Sequence, residues 1–265
     1  MTLPTPYYEA DGITIFCGDC REILPRRGPV DLVLTSPPYL NLRSYEMESF
    51  DWHSVVPIAL ASIHDSGKTQ IIVNLGQVHT DGEVNPYWMD LVFSMRSVGW
   101  KWKGMYIWDQ MGGMPGYHGG RLAPTHELLF HFCVGKASIK KTKACIHAGT
   151  KQHGGHRLKT GEMKNKTQLG MPVSDCKIMD SVVRIEREKG RDIGHPARFP
   201  VKFALEISSA FPGTILDPFM GSGTTLVAAK QLNRRAIGIE ISEEYCEIAV
   251  NRLRQRVLDF NQDQK

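Results

Sequence analysis

The chain has 265 residues, is 42% apolar and 23% charged, and carries a formal net charge of +4. That length and balance fit one large globular domain, or one domain with an insertion, able to bury a proper core. No window approaches the roughly 18 uncharged apolar residues of a membrane span, and the start MTLPTPYYEADG lacks the charged and apolar regions of a signal peptide, so a cytoplasmic protein is expected.

In chain order, the first strand candidate is Ile13 to Phe16, followed by Gly18 and Asp19. Cys17 and Cys20 form a CxxC, yet no second CxxC exists. Cys145, His147, His153 and His156 cluster later without finger spacing, so no metal site is expected. The six cysteines are too scattered for a disulfide scaffold and read as reduced thiols.

The next strand candidate, Asp31 to Thr35, runs into Ser36-Pro37-Pro38-Tyr39. Each proline fixes φ and lacks an N–H, so the pair ends the ladder and stiffens the chain. A serine hydroxyl, a carbonyl and an aromatic face held there suit a planar, hydrogen-bonding substrate, or simply turn a corner. A helix over Trp52 to His64, a strand over Gln70 to Asn74, a helix over Pro86 to Val98 and strands over Lys103 to Trp108 and Leu128 to Val134 follow from the apolar periodicity.

Residues 136–189 hold 13 Lys or Arg against 5 Asp or Glu, a net +8, which leaves −4 for the rest of the chain. Such a segment is either a solvated insertion or a polyanion contact driven by phosphate neutralisation. Beyond it lie a helix over Pro200 to Ala210, a strand over Thr214 to Asp217, a helix over Thr224 to Leu232, a strand over Ala236 to Glu240 and a helix over Glu243 to Val257. Ser242 caps the last, with Glu243 and Glu244 at the positive end of its dipole. This alternation predicts an α/β fold with a largely parallel sheet, its ligands beyond the C-terminal strand ends.

One such end carries GTILDPFMGSGTTLVAAK. An ATP-type phosphate loop would need a lysine where threonines stand, and the third glycine of a dinucleotide fingerprint is replaced by Leu226. Glu240, ending the following strand, is placed for ribose hydroxyls, so the pair suits a nucleoside without pyrophosphate. Alone, a Gly-rich turn with a later acidic residue is equally a structural turn.

Together, Thr35-Ser36-Pro37-Pro38-Tyr39 and Asp217-Pro218-Phe219-Met220-Gly221-Ser222-Gly223-Thr224-Thr225 resemble the motifs of amino-methylating DNA methyltransferases of the beta group. Gly18-Asp19, His195-Pro196-Ala197-Arg198-Phe199-Pro200 and Glu240 support the resemblance. It implies a Rossmann-like S-adenosylmethionine-dependent fold, with a mixed, mostly parallel sheet and helices on both faces, in permuted order. A catalytic half spans 1–134, a target recognition insertion 135–192 and a cofactor half 193–265.

The resemblance further implies that Ser36 and the Pro37 carbonyl, stiffened by Pro38, accept from the target amine and that Tyr39 stacks on a flipped base. It places Asp19, Thr35, Asp217, Phe219, Gly221, Ser222, Gly223, Thr224 and Glu240 at S-adenosylmethionine. Phe219 would pack on adenosine, Asp217 accept from the ammonium, Glu240 take the ribose, and Asp19 take the adenine amine or merely cap a helix. His195 and Arg198 take either a site role or a loop-fixing one. Asp109 and Gln110 depart from relatives, which often carry a lysine after the tryptophan. The implied partner is double-stranded DNA, with a homodimer and a separately encoded restriction endonuclease left open. Serine first in SPPY resembles the cytosine-N4 members; adenine-N6 transfer, or a non-catalytic nucleic-acid-binding module, is the alternative.

Overall fold

LVLT, QIIVNL and AIGIE are buried almost end to end, as strands covered on both faces must be. The computed structural model describes residues 2–40, 51–113, 116, 118–151, 155–165, 170–188 and 199–255. Nine strands share its main sheet: β1 (Tyr8–Ala10), β2 (Ile13–Cys17), β3 (Leu32–Thr35), β4 (Gln70–Leu75), β5 (Lys101–Asp109), β6 (His126–Cys133), β7 (Val182–Arg184), β8 (Ile215–Asp217) and β9 (Ala236–Glu240). Their spatial order is β1-β2-β9-β8-β3-β4-β6-β5-β7. From β2 to β4 all neighbours are parallel, whereas β6 runs antiparallel to both β4 and β5.

Helices α1 (Cys20–Ile23), α2 (Trp52–Ala61) and α3 (Trp88–Ser97) cover one face, and α4 (Val201–Ala210), α5 (Thr224–Gln231) and α6 (Glu243–Arg254) the other. Trp52, Val56, Leu60, Leu91 and Met95 pack on the first face, and Phe203, Ile207, Leu226, Ala249 and Leu253 on the second. The expected α/β fold with helices on both faces is present. Ser242 caps α6 by accepting from Tyr245 N, as its sequence signals.

The basic segment does not stand wholly apart. Its residues Val182–Arg184 form β7, parallel to β5, because a short apolar pair can complete the sheet edge left by Ile107 and Trp108. Trp108 Nε1 donates to Ile185 O over 2.8 Å, Lys140 N donates to Ala210 O over 2.8 Å, and Lys143 pairs with Glu206 on α4. The rest of its described length holds two short antiparallel ladders, an isolated bridge between Lys151 and Pro172, and turns.

The register of β3 on β8 decides where the two motifs end up: Leu32 lies beside Ile215 and Val33 beside Leu216. A clamp at the foot of both strands sets it. Thr214 N donates to Asp31 Oδ2 over 2.7 Å, and Asp31 N and Leu32 N both donate to Thr214 O. Gly213, at φ +92°, lets Asp31 this close, since a Cβ there would lie 2.1 Å from the Asp31 Cγ. Gly213→Ala should therefore lower stability by about 1–3 kcal/mol. Urea unfolding tests this, and an unchanged midpoint would show that the clamp yields freely.

Candidate active site

Because β3 and β8 are parallel and in this register, Thr35 and Asp217 finish side by side. Thr35 Oγ1 donates to Asp217 Oδ1 over 2.7 Å, Phe219 N donates to the same oxygen over 3.2 Å, and Thr225 Oγ1 donates to Oδ2 over 2.6 Å. Burial raises the Asp217 carboxyl to about 6, with those three donors working in the opposite direction. The carboxylate thus joins the TSPPY turn, the DPFMGSG loop and the first turn of α5.

On the neighbouring strand, Glu240 has a similar role. Its Oε2 accepts from Gly221 N at 2.9 Å and its Oε1 from Ser242 N at 3.0 Å, while its carbonyl accepts from Gly18 N at 2.8 Å. Burial raises its carboxyl too, against those backbone donors. Gly223, at φ +76°, sits where a Cβ would meet the Ala249 Cβ at 2.8 Å, so it admits close packing of α6. From α6, Arg252 Nη1 donates to Ser222 O, Ser222 Oγ and Thr224 Oγ1 over 2.6, 3.0 and 3.1 Å.

These loops surround one cavity, which brings together Asp19, Ser36, Pro38, Asp217, Phe219, Gly221, Ser222, Thr224 and Glu240. Thr35, Pro37, Tyr39 and Gly223 do not line it. Asp19 is the N-cap of α1, accepting from Arg21 N at 2.8 Å and gripping the Arg21 guanidinium, whose hydrogen bonds hold the Asp19 carboxyl below its usual range. It still faces the cavity. His195 and Arg198 lie outside the described residues, although the adjoining Phe199 lines the space.

Val55, Phe219, Met220 and Ile241 give the cavity apolar walls, and Asp19, Asp217 and Glu240 give it three carboxylates. Among the described residues its one cationic side chain, Arg21, is already paired with Asp19. This set of acceptors fits an adenosyl group bearing positive charge and disfavours a polyphosphate.

On the sheet's other flank the structure gathers around Tyr39 residues that no motif marks. Tyr39 Oη donates to Glu127 Oε2 over 2.7 Å and lies 3.5 Å from Ser36 Oγ. Gln110 Nε2 donates to Glu127 Oε1 over 2.9 Å, and Arg187 Nη2 lies 3.7 Å from that oxygen. The Tyr39 ring presses on Gly76, where a Cβ would meet it at 2.6 Å. Burial, then the Glu127 charge, holds the Tyr39 hydroxyl well above its usual pKa. Gln110 is thus a hydrogen-bond partner of Glu127. The only sequence signal for Glu127 is its place as the sole carboxylate in the apolar run HELLFHFC.

Such an assembly of loops at the C-terminal edge of a parallel sheet defines a nucleoside-binding α/β enzyme class. A family model described as DNA methylase, of the N6/N4 methyltransferase type, matches residues 30–251, and the chain belongs to this family. It is 28% identical over 255 residues to orphan methyltransferase M.BamHII of Bacillus amyloliquefaciens, covering 91% of this chain and 92% of that protein. It is 27% identical over 290 residues to type II methyltransferase M.Cfr9I of Citrobacter freundii, covering 92% and 89%. Among solved structures, the cytosine-N4-specific PvuII DNA methyltransferase superposes with a TM-score of 0.68 at 18% identity, over 95% of this chain and 89% of that one. M1.HpyAVI in complex with SAM gives 0.57 at 20%, over 91% and 99%. Those structures share the fold.

A carboxyl whose folded pKa exceeds its unfolded one stabilises the fold below the unfolded value, and that contribution is lost as pH rises through the folded one. For Asp217 the window runs from the ordinary value of 3.8 to about 6. The stability of the wild type relative to Asp217→Asn should fall across it, by up to about 1.4 kcal/mol per pH unit. Urea titrations at several pH values measure this difference, and one that stays constant contradicts the assignment.

Proposed function

We propose that this DNA methyltransferase of the N4/N6 family transfers a methyl group from S-adenosylmethionine to the exocyclic N4 amine of cytosine in duplex DNA. The observation that carries the reading is the placement of Ser36 on the wall of the carboxylate-rich cavity, fixed there by the Thr35–Asp217 hydrogen bond. Bound in that cavity, S-adenosylmethionine supplies an electrophilic methyl on a sulfonium, whose S–C electron pair stays with sulfur.

The protein's task is to make a poor nucleophile reactive. An exocyclic amine lends its lone pair to the ring, so Ser36 Oγ and the Pro37 carbonyl, accepting its N–H groups, localise that pair and favour a tetrahedral nitrogen. Preorganised acceptors of this kind need no reorganisation as charge develops. On the cofactor side, Phe219 offers a face for adenine, Glu240 accepts from ribose hydroxyls, and Asp19, Asp217, Gly221, Ser222 and Thr224 surround the remainder. A paired base cannot reach Ser36, so it must leave the helix, with Tyr39 at the receiving end. The +8 segment supplies phosphate contacts beside the same sheet edge.

A neutral hydroxyl as first residue of SPPY, together with the fold shared with the cytosine-N4-specific PvuII enzyme, supports cytosine as the base. Incubation with labelled S-adenosylmethionine and DNA, then digestion to nucleosides, tests it. N4-methylcytosine is expected; N6-methyladenine would overturn the base, and DNA binding without transfer would make the chain a binding module. Ser36→Ala should slow single-turnover transfer about a hundredfold, the scale of losing one preorganised polar group, with cofactor affinity unchanged. An undiminished rate would remove Ser36 from the mechanism.

A further inference from the structure

Ser36, Tyr39 and Glu127 form a chain of two hydroxyls ending on a carboxylate, and we propose that Glu127 is the positioning residue that receives, through Tyr39 and Ser36, the proton released on amine methylation. The inference rests on the amino-methyltransferase reading above.

An NH₂ group that gains a methyl and stays neutral must lose one proton. Ser36 is a poor base, and its hydroxyl can keep a proton only by passing one on. The structure supplies the path. Tyr39 Oη donates to Glu127 Oε2 over 2.7 Å, which turns the lone pairs of Oη towards Ser36 Oγ at 3.5 Å. The longer link is of the kind that tightens when substrate binds. As the N–H bond breaks, its proton joins Ser36 Oγ, the Ser36 proton joins Tyr39 Oη, and the Tyr39 proton joins Glu127 Oε2. Both hydroxyls are restored, and the carboxylate ends as a carboxylic acid.

The geometry is fixed rather than incidental. Glu127 sits near the start of β6, paired with Trp108, its side chain only 15% exposed. Among the described residues, the charged and titratable groups facing it are Tyr39, Tyr87 and Arg187, with the Gln110 amide holding its second oxygen. The absence of a Cβ at Gly76 lets the Tyr39 ring lie close against the backbone there, on the way to the carboxylate. Gln110 and Arg187 occupy Oε1, and the other oxygen, Oε2, is given to the tyrosine of the catalytic turn.

The test measures single-turnover methyl transfer against pH for the wild type, Glu127→Gln, Tyr39→Phe and the double variant, with cofactor affinity and melting temperature followed in parallel. Glu127→Gln should lose about a hundredfold in rate and show a flatter acid-side pH–rate profile than the wild type. Tyr39→Phe should lose a similar factor, and the double variant no more than either, because both break one path. In protein labelled with ¹³C at tyrosine Cζ and free of cofactor, the Tyr39 resonance should titrate at lower pH in Glu127→Gln. Equal rates and pH profiles for the wild type and Glu127→Gln, or independent losses that multiply in the double variant, would overturn the relay while leaving the methyltransferase reading intact. Absence of transfer by the wild type would overturn both.

Discussion

One hydrogen bond, from Thr35 to Asp217, holds the two halves of the site together. The residues are far apart in sequence, and each ends a strand whose next residues carry chemistry: the SPPY turn after Thr35, the glycine loop after Asp217. A buried carboxylate needs several donors to remain tolerable, and here those donors come from the catalytic turn, the glycine loop and α5. Meeting that need is also what fixes Ser36 against the cavity. The Asp31–Thr214 clamp at the opposite end of the same strands supplies the register on which the bond depends.

The cavity's electrostatics follow from the same need of buried charge for partners. Asp217 and Glu240 commit much of their hydrogen-bonding capacity to backbone and hydroxyl donors of the loops around them. They shape the loops first and present negative potential to a ligand second. Asp19 divides its roles differently, since capping α1 and binding Arg21 leave its carboxylate on the cavity wall. A sulfonium ligand suits such a lining better than a phosphate does.

Much of this is legible in the sequence. The strands ending at Thr35, Asp217 and Glu240 and the helices opening at Trp52, Thr224 and Glu243 follow from apolar runs, caps and prolines, which are local signals. The two motifs are visible as motifs. Glu127 is not, because β6 runs antiparallel to its neighbour β4, which brings the start of β6, rather than its end, to the catalytic edge. The rule that places ligands at C-terminal strand ends passes over a carboxylate at an N-terminal one. Gly76 and Arg252 are hidden for a related reason: one matters through a ring laid on it from another loop, the other through carbonyl and hydroxyl partners some thirty residues away. β7 is hidden by composition, a short apolar pair inside a basic segment.

If the Thr35–Asp217 bond is what aligns the catalytic turn with the cofactor loop, then Thr35→Val, which keeps the shape and removes the donor, must disturb both sides at once. Removing a donor from a buried carboxylate costs about 1–3 kcal/mol. The direct measurement is cofactor affinity by calorimetry alongside single-turnover methyl transfer in that variant. A fall of about tenfold or more in both, in a protein that still folds, is the predicted result; wild-type values for both would show that the two motifs hold their places independently.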